Sequence, residues 1–295
     1  MRHGVALLIT LFFIIAITVA VGISLKNLQK SGVELHKARF LLQSSAIVED
    51  VILLMQNVDK LGVVSDADGL NLFLLSAGFI PLELNELLVK IEITSLMGRV
   101  NLNSLGRSKE LQELFREYLL RYNVQDVGYV VDLFVDCSSG NKEYYKTDIF
   151  DEIPEMYHQK IVSKRHLEKI LDFYVRERHD NAVTQIPWDE LVRFDEHNDT
   201  TVDANYMTPS LWQLYMPNLS EERAIELASG EIVYHTLDDI DLSKEERNDL
   251  QKYKLGFYVP VVHADIEVRE NNSTAHIAFD FNINTKKGKN FEFGI

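Results

Sequence analysis

The N-terminal part of the chain carries an uncharged apolar stretch at residues 5–25. Such a stretch, about 20 residues long, is sufficient to cross a bilayer as a helix. Apolar residues then recur at helical spacing on one side as far as residue 59: Ala38, Leu41, Val48, Ile52 and Met55. The pattern predicts one long helix, first apolar all round and then amphipathic. The alternative is a membrane anchor followed by a separate stalk helix.

Two regions alternate between apolar and polar residues, which is typical of strands with one buried face. Residues 88–94 and 99–103 alternate on either side of Met97-Gly98, so they predict a β-hairpin. Residues 261–269 and 274–283 predict a second hairpin around a turn at 271–273, and residues 290–295 predict a short terminal strand. Residues 61–75, which contain Asp66, Asp68 and Gly69, are interpreted as a turn.

The middle of the chain contains five signals for the start of a helix. Four are serines that can cap a first turn, Ser108, Ser163, Ser220 and Ser243, and the fifth is Pro209, early in a first turn. The predicted fold class is therefore α+β, with a long N-terminal helix packed on an antiparallel sheet and a large helical insertion. The predicted segments are a leader at 1–4, a transmembrane and stalk helix at 5–60, a first part of the core at 61–135, a helical insertion at 136–245 and C-terminal strands at 246–295.

Composition narrows the functional classes. The formal net charge is −15, which argues against nucleic-acid binding because phosphate contacts need a basic face. Cys137 is the only cysteine, so no intrachain disulfide can form. No nucleophile motif, zinc motif or phosphate-binding loop occurs, and we interpret the protein as structural rather than enzymatic.

One segment carries possible metal chemistry. Asp132, Asp136 and Glu143 flank a glycine turn, and their carboxylates are the hard oxygen ligands that calcium prefers. The alternative is a solvated turn. Asp66 and Asp68 do not form an EF-hand loop, because Ala77 stands where such a loop needs glutamate.

Four segments occur in an order that resembles a known family: RHGVALLITL at 2–11, GRVNLNSL at 98–105, VVDLFVD at 130–136, and the region 202–230 that begins VDANYM. They resemble the K component of the type II secretion pseudopilins (general secretion pathway protein K). That resemblance implies the pseudopilin fold and a minor pseudopilin at the tip of the pseudopilus, which initiates assembly and takes part in export of folded proteins across the outer membrane.

The resemblance also implies processing by a prepilin peptidase between Gly4 and Val5. Other pilins carry glutamate at the fifth mature position, where this chain has Ile9. A carboxylate in a membrane is retained where it has a partner. A tip subunit has no subunit above it to supply that partner, so Ile9 fits the tip.

The expected partners are the minor pseudopilins I and J, the prepilin peptidase, other pseudopilus and inner-membrane secretion components, and membrane lipid. The expected location is the bacterial inner membrane, with a single span and a periplasmic domain, although a count of Lys and Arg around the span would favour a cytoplasmic domain. The family is associated with calcium but has more acidic residues near Asp136 than this chain has. The alternative function is a single-pass, membrane-anchored periplasmic protein that binds a ligand or acts as a scaffold.

Overall fold

A computed structural model describes residue 14 and residues 34–57, 64–84, 87–139, 145–195, 200–230, 232–271 and 273–294. The described chain forms two compact units, one comprising Met1–Leu96 with Tyr258–Ile295 and the other Met97–Phe257. Apart from Ile14, the predicted membrane span lies outside the described residues. Among the helices that are described, none combines the length and the apolar character that crossing a membrane requires.

The first unit packs a long helix against a five-stranded antiparallel sheet. Its helices are α1 (Glu34–Asn57) and α2 (Ala67–Ala77). Its strands are β1 (Phe79–Leu84), β2 (Leu87–Ser95), β7 (Val261–Glu270), β8 (Ser273–Asn282) and β9 (Lys287–Gly294). They lie in the order β1-β2-β7-β8-β9. Helix α1 lies against β7 and β8.

Alternating burial explains this sheet. In β2, Val89, Ile91 and Ile93 are buried, while Leu88, Lys90 and Glu92, which alternate with them, are exposed. Because successive side chains point to opposite faces of a strand, one face of β2 belongs to the core. The strand predicted at 88–94, the C-terminal hairpin and the terminal strand are confirmed.

Two predictions about the early part of the chain were wrong. The expected partner of residues 88–94 was 99–103, but β2 pairs with β1 and β7. Only Val100–Asn101 is extended, and Leu102–Gly106 forms a 3₁₀ helix. Asn101 accepts a hydrogen bond from the backbone of Asn103, a local side-chain contact that competes with strand pairing. Residues 61–75 are not simply a turn either, because Asp66 caps the start of α2 by accepting a hydrogen bond from Gly69 N at 2.8 Å.

The second unit is mainly helical. Its strands are the two-residue segments β3 (Val100–Asn101), β4 (Val192–Arg193), β5 (Val202–Asp203) and β6 (Leu255–Gly256), which pair in parallel as β3-β4 and β5-β6. Its α-helices are α3 (Lys109–Arg121), α4 (Val127–Ser139), α5 (Ile149–Glu152), α6 (Lys164–Arg178), α7 (Trp188–Leu191), α8 (Pro209–Tyr215), α9 (Glu221–Leu227) and α10 (Lys244–Leu250). The insertion predicted at 136–245 lies inside this unit, which begins at Met97 and ends at Phe257.

The predicted helix starts in this unit are confirmed. The hydroxyls of Ser108, Ser163, Ser220 and Ser243 each accept a hydrogen bond from a backbone N–H of the following first turn. Such caps satisfy N–H groups that have no partner within the helix. The apolar sides of the helices then meet in one core, whose largest fully buried side chains include Trp212, Tyr118, Tyr174, Phe134 and Phe115.

Candidate functional site

The predicted metal segment begins on α4, where Asp136 is almost completely buried. Its Oδ2 atom accepts hydrogen bonds from Lys146 N at 2.9 Å, Thr147 N at 2.8 Å and Thr147 Oγ1 at 2.7 Å. Burial raises the pKa of the Asp136 carboxyl, and these hydrogen bonds oppose that rise. Asp136 therefore fixes the chain at 146–147 against α4.

The second carboxylate of this segment is also engaged. Asp132 Oδ1 lies 2.6 Å from the ammonium of Lys146, and Glu143 lies outside the described residues. Within the described ranges, no group of three His, Cys, Asp or Glu side chains is placed to hold a metal. Both aspartates contact other groups of the chain, and calcium binding stays a prediction from the sequence.

Cys137, next to Asp136, is fully buried and has no disulfide partner. Burial raises the pKa of its thiol, which keeps it protonated. Because the thiolate is the nucleophilic form, this cysteine serves the core of the unit rather than chemistry.

Two asparagines of the resembling segment at 98–105 lie in a buried polar network. Asn103 donates from Nδ2 to Ile161 O at 2.9 Å and to Asp195 O at 3.0 Å, and its Oδ1 accepts from Ile161 N at 2.7 Å. Asn101 Oδ1 accepts from Asp195 N at 3.1 Å. Both asparagines are buried. They satisfy backbone groups of two distant segments that water cannot reach, which is why the 3₁₀ turn holds polar residues in a core.

A buried ion pair completes this network. Arg193 Nη1 lies 2.8 Å from Asp195 Oδ2, and both side chains are nearly inaccessible to solvent. The same guanidinium donates from Nε to Arg99 O at 3.0 Å and from Nη2 to Thr201 O at 3.3 Å. Arg193 thereby links the start of the 98–105 segment to Thr201, the residue directly before β5. Sequence reasoning missed Arg193 and Asp195, because neither belongs to a periodic pattern or a motif.

The resembling segment that begins at Val202 lies next to the one at 98–105. Asp203 N donates to Met97 O at 2.8 Å. Asn205 donates from Nδ2 to Tyr234 O and Phe257 O, both at 2.9 Å, and its Oδ1 accepts from Tyr234 N at 2.7 Å. The two segments are therefore structural neighbours that hold together the inserted unit.

A third buried carboxylate in this unit should make stability depend on pH. Asp180 accepts hydrogen bonds from Gln125 N and Ala182 N, both at 2.9 Å, and from Tyr174 Oη at 2.7 Å. Burial raises the pKa of this carboxyl, but the hydrogen bonds outweigh it and the pKa is lowered. A lowered pKa in the folded state stabilises the protein above the unfolded value, near pH 4, and this contribution is lost as the pH falls through the folded pKa.

We therefore expect Asp180→Asn to lower the free energy of unfolding at pH 7 by about 1–3 kcal/mol, because an amide NH₂ would face hydrogen-bond donors. The deficit should shrink as the pH falls below about 4. Urea unfolding at pH 7 and pH 3.5 measures it, with Asp172→Asn on the exposed side of α6 as the control. An equal deficit at both pH values would contradict the assignment.

Comparisons with known proteins place the fold. No protein-family model matches the chain, and no curated protein matches it. A solved structure described as the GspK-GspI-GspJ complex from the enterotoxigenic Escherichia coli type 2 secretion system does match, with a TM-score of 0.55 and 9% sequence identity. The match covers 89% of this chain and 98% of that chain. The chain thus has the α+β fold of a protein in that type 2 secretion complex, as its resemblance to the K component implied.

Proposed function

We propose that the protein is a minor pseudopilin at the tip of the type II secretion pseudopilus. There it initiates assembly and takes part in export of folded proteins across the outer membrane. The observation that carries this proposal is the structural match, which spans nearly the whole of a chain in the GspK-GspI-GspJ complex. The order of the resembling sequence segments supports it independently, because a fold match at 9% identity carries no residue-level information.

Residues 5–25 supply the membrane part of the proposal. A prepilin peptidase cuts between Gly4 and Val5, and the apolar stretch then holds the subunit in the inner membrane with both units in the periplasm. Ile9 at the fifth mature position supports the tip, since an aliphatic side chain needs no partner in lipid. The role is structural rather than catalytic.

Helix α1 offers the surface through which pseudopilins I and J would pack. Leu42 is 58% exposed and Leu53 is 53% exposed, and residues eleven apart lie on the same side of an α-helix. Ser45 and Glu49 are exposed between them. These four exposed residues form a stripe along α1 that could pack against another long helix with ridges in grooves.

Mass spectrometry of the mature protein tests the proposal. In a strain with an active prepilin peptidase, the chain should begin at Val5. The variant Gly4→Val should keep residues 1–4 and should no longer support secretion of the native exoproteins. Ile9→Leu, which keeps an aliphatic side chain at the fifth position, is the matched control and should be processed and functional. A wild-type chain that keeps residues 1–4 in such a strain would contradict the proposal.

A further inference from the structure

The second unit contains an acidic groove of about 660 Å³ that the proposed function does not use. It runs between α3, the chain after α8 and the end of α10. A cleft of this volume is in the range that binds small molecules or a few residues of a peptide. Its lining residues are Glu110, Glu113, Leu114, Glu117, Leu120, Arg121, Tyr215, Pro217, Asn218, Asp249, Lys252 and Tyr253.

Carboxylates dominate its charge. Glu110, Glu113 and Glu117 are spaced three and four residues apart, so they follow one side of α3, and Asp249 adds a fourth from α10. Glu117 forms no ion pair within the part of the chain that the structure describes. The negative charge of Glu117 is therefore not neutralised by an ion pair.

The two cations of the lining are already held by the chain itself. Arg121 donates from Nη1 to Gln213 O at 3.3 Å and from Nη2 to Leu219 O at 3.2 Å. Lys252 Nζ lies 2.7 Å from Asp249 Oδ1.

Arg116, which does not line the groove, also pairs with Glu113 through Nη1 and Oε1 at 2.5 Å. Four carboxylates against these three cations still leave the groove negative, and Glu110 and Glu117 form no ion pair within the described residues. The groove would therefore repel an anionic ligand and attract a cationic one.

Apolar surface accompanies this charge. Leu120 is 59% exposed, and Tyr253 stands edge-on to Tyr215 with their ring centroids 4.9 Å apart. Burial raises the pKa of the Tyr253 hydroxyl, the ammonium of Lys252 opposes that rise, and the nearby carboxylates of Asp249, Glu117 and Glu110 add to it. The carboxylates and the aromatic surface thus lie close to one another. An aromatic ring beside carboxylates suits a side chain with an apolar stem and a charged head.

We propose that this groove docks a basic segment of a partner protein, whose arginine or lysine side chain enters between Glu110 and Glu117. The aliphatic stem of that side chain would lie on Leu120 and Tyr253 while its charged head meets the carboxylates. Exposed Leu120 favours a peptide over a small polyamine, because a peptide brings apolar neighbours that cover it. The proposal concerns the second unit alone and does not depend on the tip role.

The test uses the full-length protein in nonionic detergent and a labelled N-acetylated hexapeptide amide of alternating leucine and arginine. Fluorescence anisotropy should show saturable binding that weakens as salt is raised. The double variant Glu110→Gln/Glu117→Gln should bind about tenfold more weakly, and Leu120→Ser should weaken binding without touching charge or core. The same peptide with citrulline for arginine should not bind measurably.

A matched control separates this groove from the general acidity of the surface. Glu168→Gln/Asp172→Asn removes the same two charges from α6, beside a smaller groove of about 390 Å³ that also holds an aromatic residue, Trp188. This control should bind within about twofold of the wild type, and circular dichroism should show all variants folded. Equal weakening in both double variants, weakening only in the α6 variant, or absence of saturable binding to the wild type would each overturn the proposal.

Discussion

Replacing Arg193 with methionine is expected to lower the free energy of unfolding of the second unit by about 3–5 kcal/mol. The substitution removes the guanidinium that pairs with the buried Asp195 carboxylate at 2.8 Å. It also removes hydrogen bonds to the carbonyl oxygens of Arg99 and Thr201. Methionine fills a similar volume, so the loss comes from buried polar groups that keep their need for a partner and cannot reach water.

Tryptophan fluorescence during urea unfolding reports on the second unit, because both tryptophans, Trp188 and Trp212, belong to it. The matched control is Lys164→Met, which breaks the Lys164–Asp189 pair at 2.5 Å between two side chains that are each more than half exposed. Such a surface pair contributes at most about 1 kcal/mol. A loss for Arg193→Met no larger than that of the control would refute the structural role of the buried pair.

Replacing Gly98 with alanine is the second change with a large expected effect, a loss of about 1–3 kcal/mol. A Cβ atom at Gly98 would overlap the carbonyl oxygen of Tyr206 and would lie 2.7 Å from its carbonyl carbon. Those are backbone atoms, which cannot turn away as a flexible side chain can. The close approach joins the resembling segments at 98–105 and 202–230, so the added methyl should separate them.

The control for this change is Gly128→Ala in helix α4, where the nearest neighbour of a new Cβ is Asp126 Oδ1 at 3.7 Å. Alanine is favoured over glycine in a helix, so this variant should be unchanged or more stable by up to about 1 kcal/mol. The same fluorescence measurement applies to both glycine variants. Similar effects from the two substitutions would show that the contact with Tyr206 is not responsible.

The regular elements were predictable because their patterns are local. Alternation in β2 and β7 records one buried face in neighbouring residues, and the serine caps mark helix starts within four residues of chain. The α+β class follows from adding such elements together. The resemblance to the K component rested on short segments in order, and it predicted the fold that the structural match then showed.

The polar network was not predictable, because its contacts join residues far apart in the sequence. Asn103 meets Asp195 across 92 residues, and Arg193 meets Arg99 across 94. The alternation at 99–103 looked like a strand because buried asparagines resemble exposed ones in a sequence. What distinguishes them is the distant backbone that they satisfy.

The candidate site shows the same limit. Asp132 and Asp136 were chosen for their oxygen chemistry, and the sequence could not show that Lys146 and Thr147 fold back to contact them. A carboxylate near a turn can serve a metal or a neighbouring backbone equally well. Only the path of the chain decides between these uses.

The inserted unit leaves and rejoins the first unit at adjacent strands. Ser95 of β2 pairs with Val262 of β7, and Leu96 N donates to Val261 O at 3.0 Å. Inside the inserted unit, Asp203 contacts Met97 and pairs with Gly256, so both ends of that unit meet at one residue. A free chain spanning 97–257 exceeds a hairpin loop of about five residues by about five doublings of length, and its closure would cost about 3 kcal/mol more. Once the inserted unit has folded, its two ends already lie close together. The β2–β7 pair can then form without most of this entropic cost of loop closure.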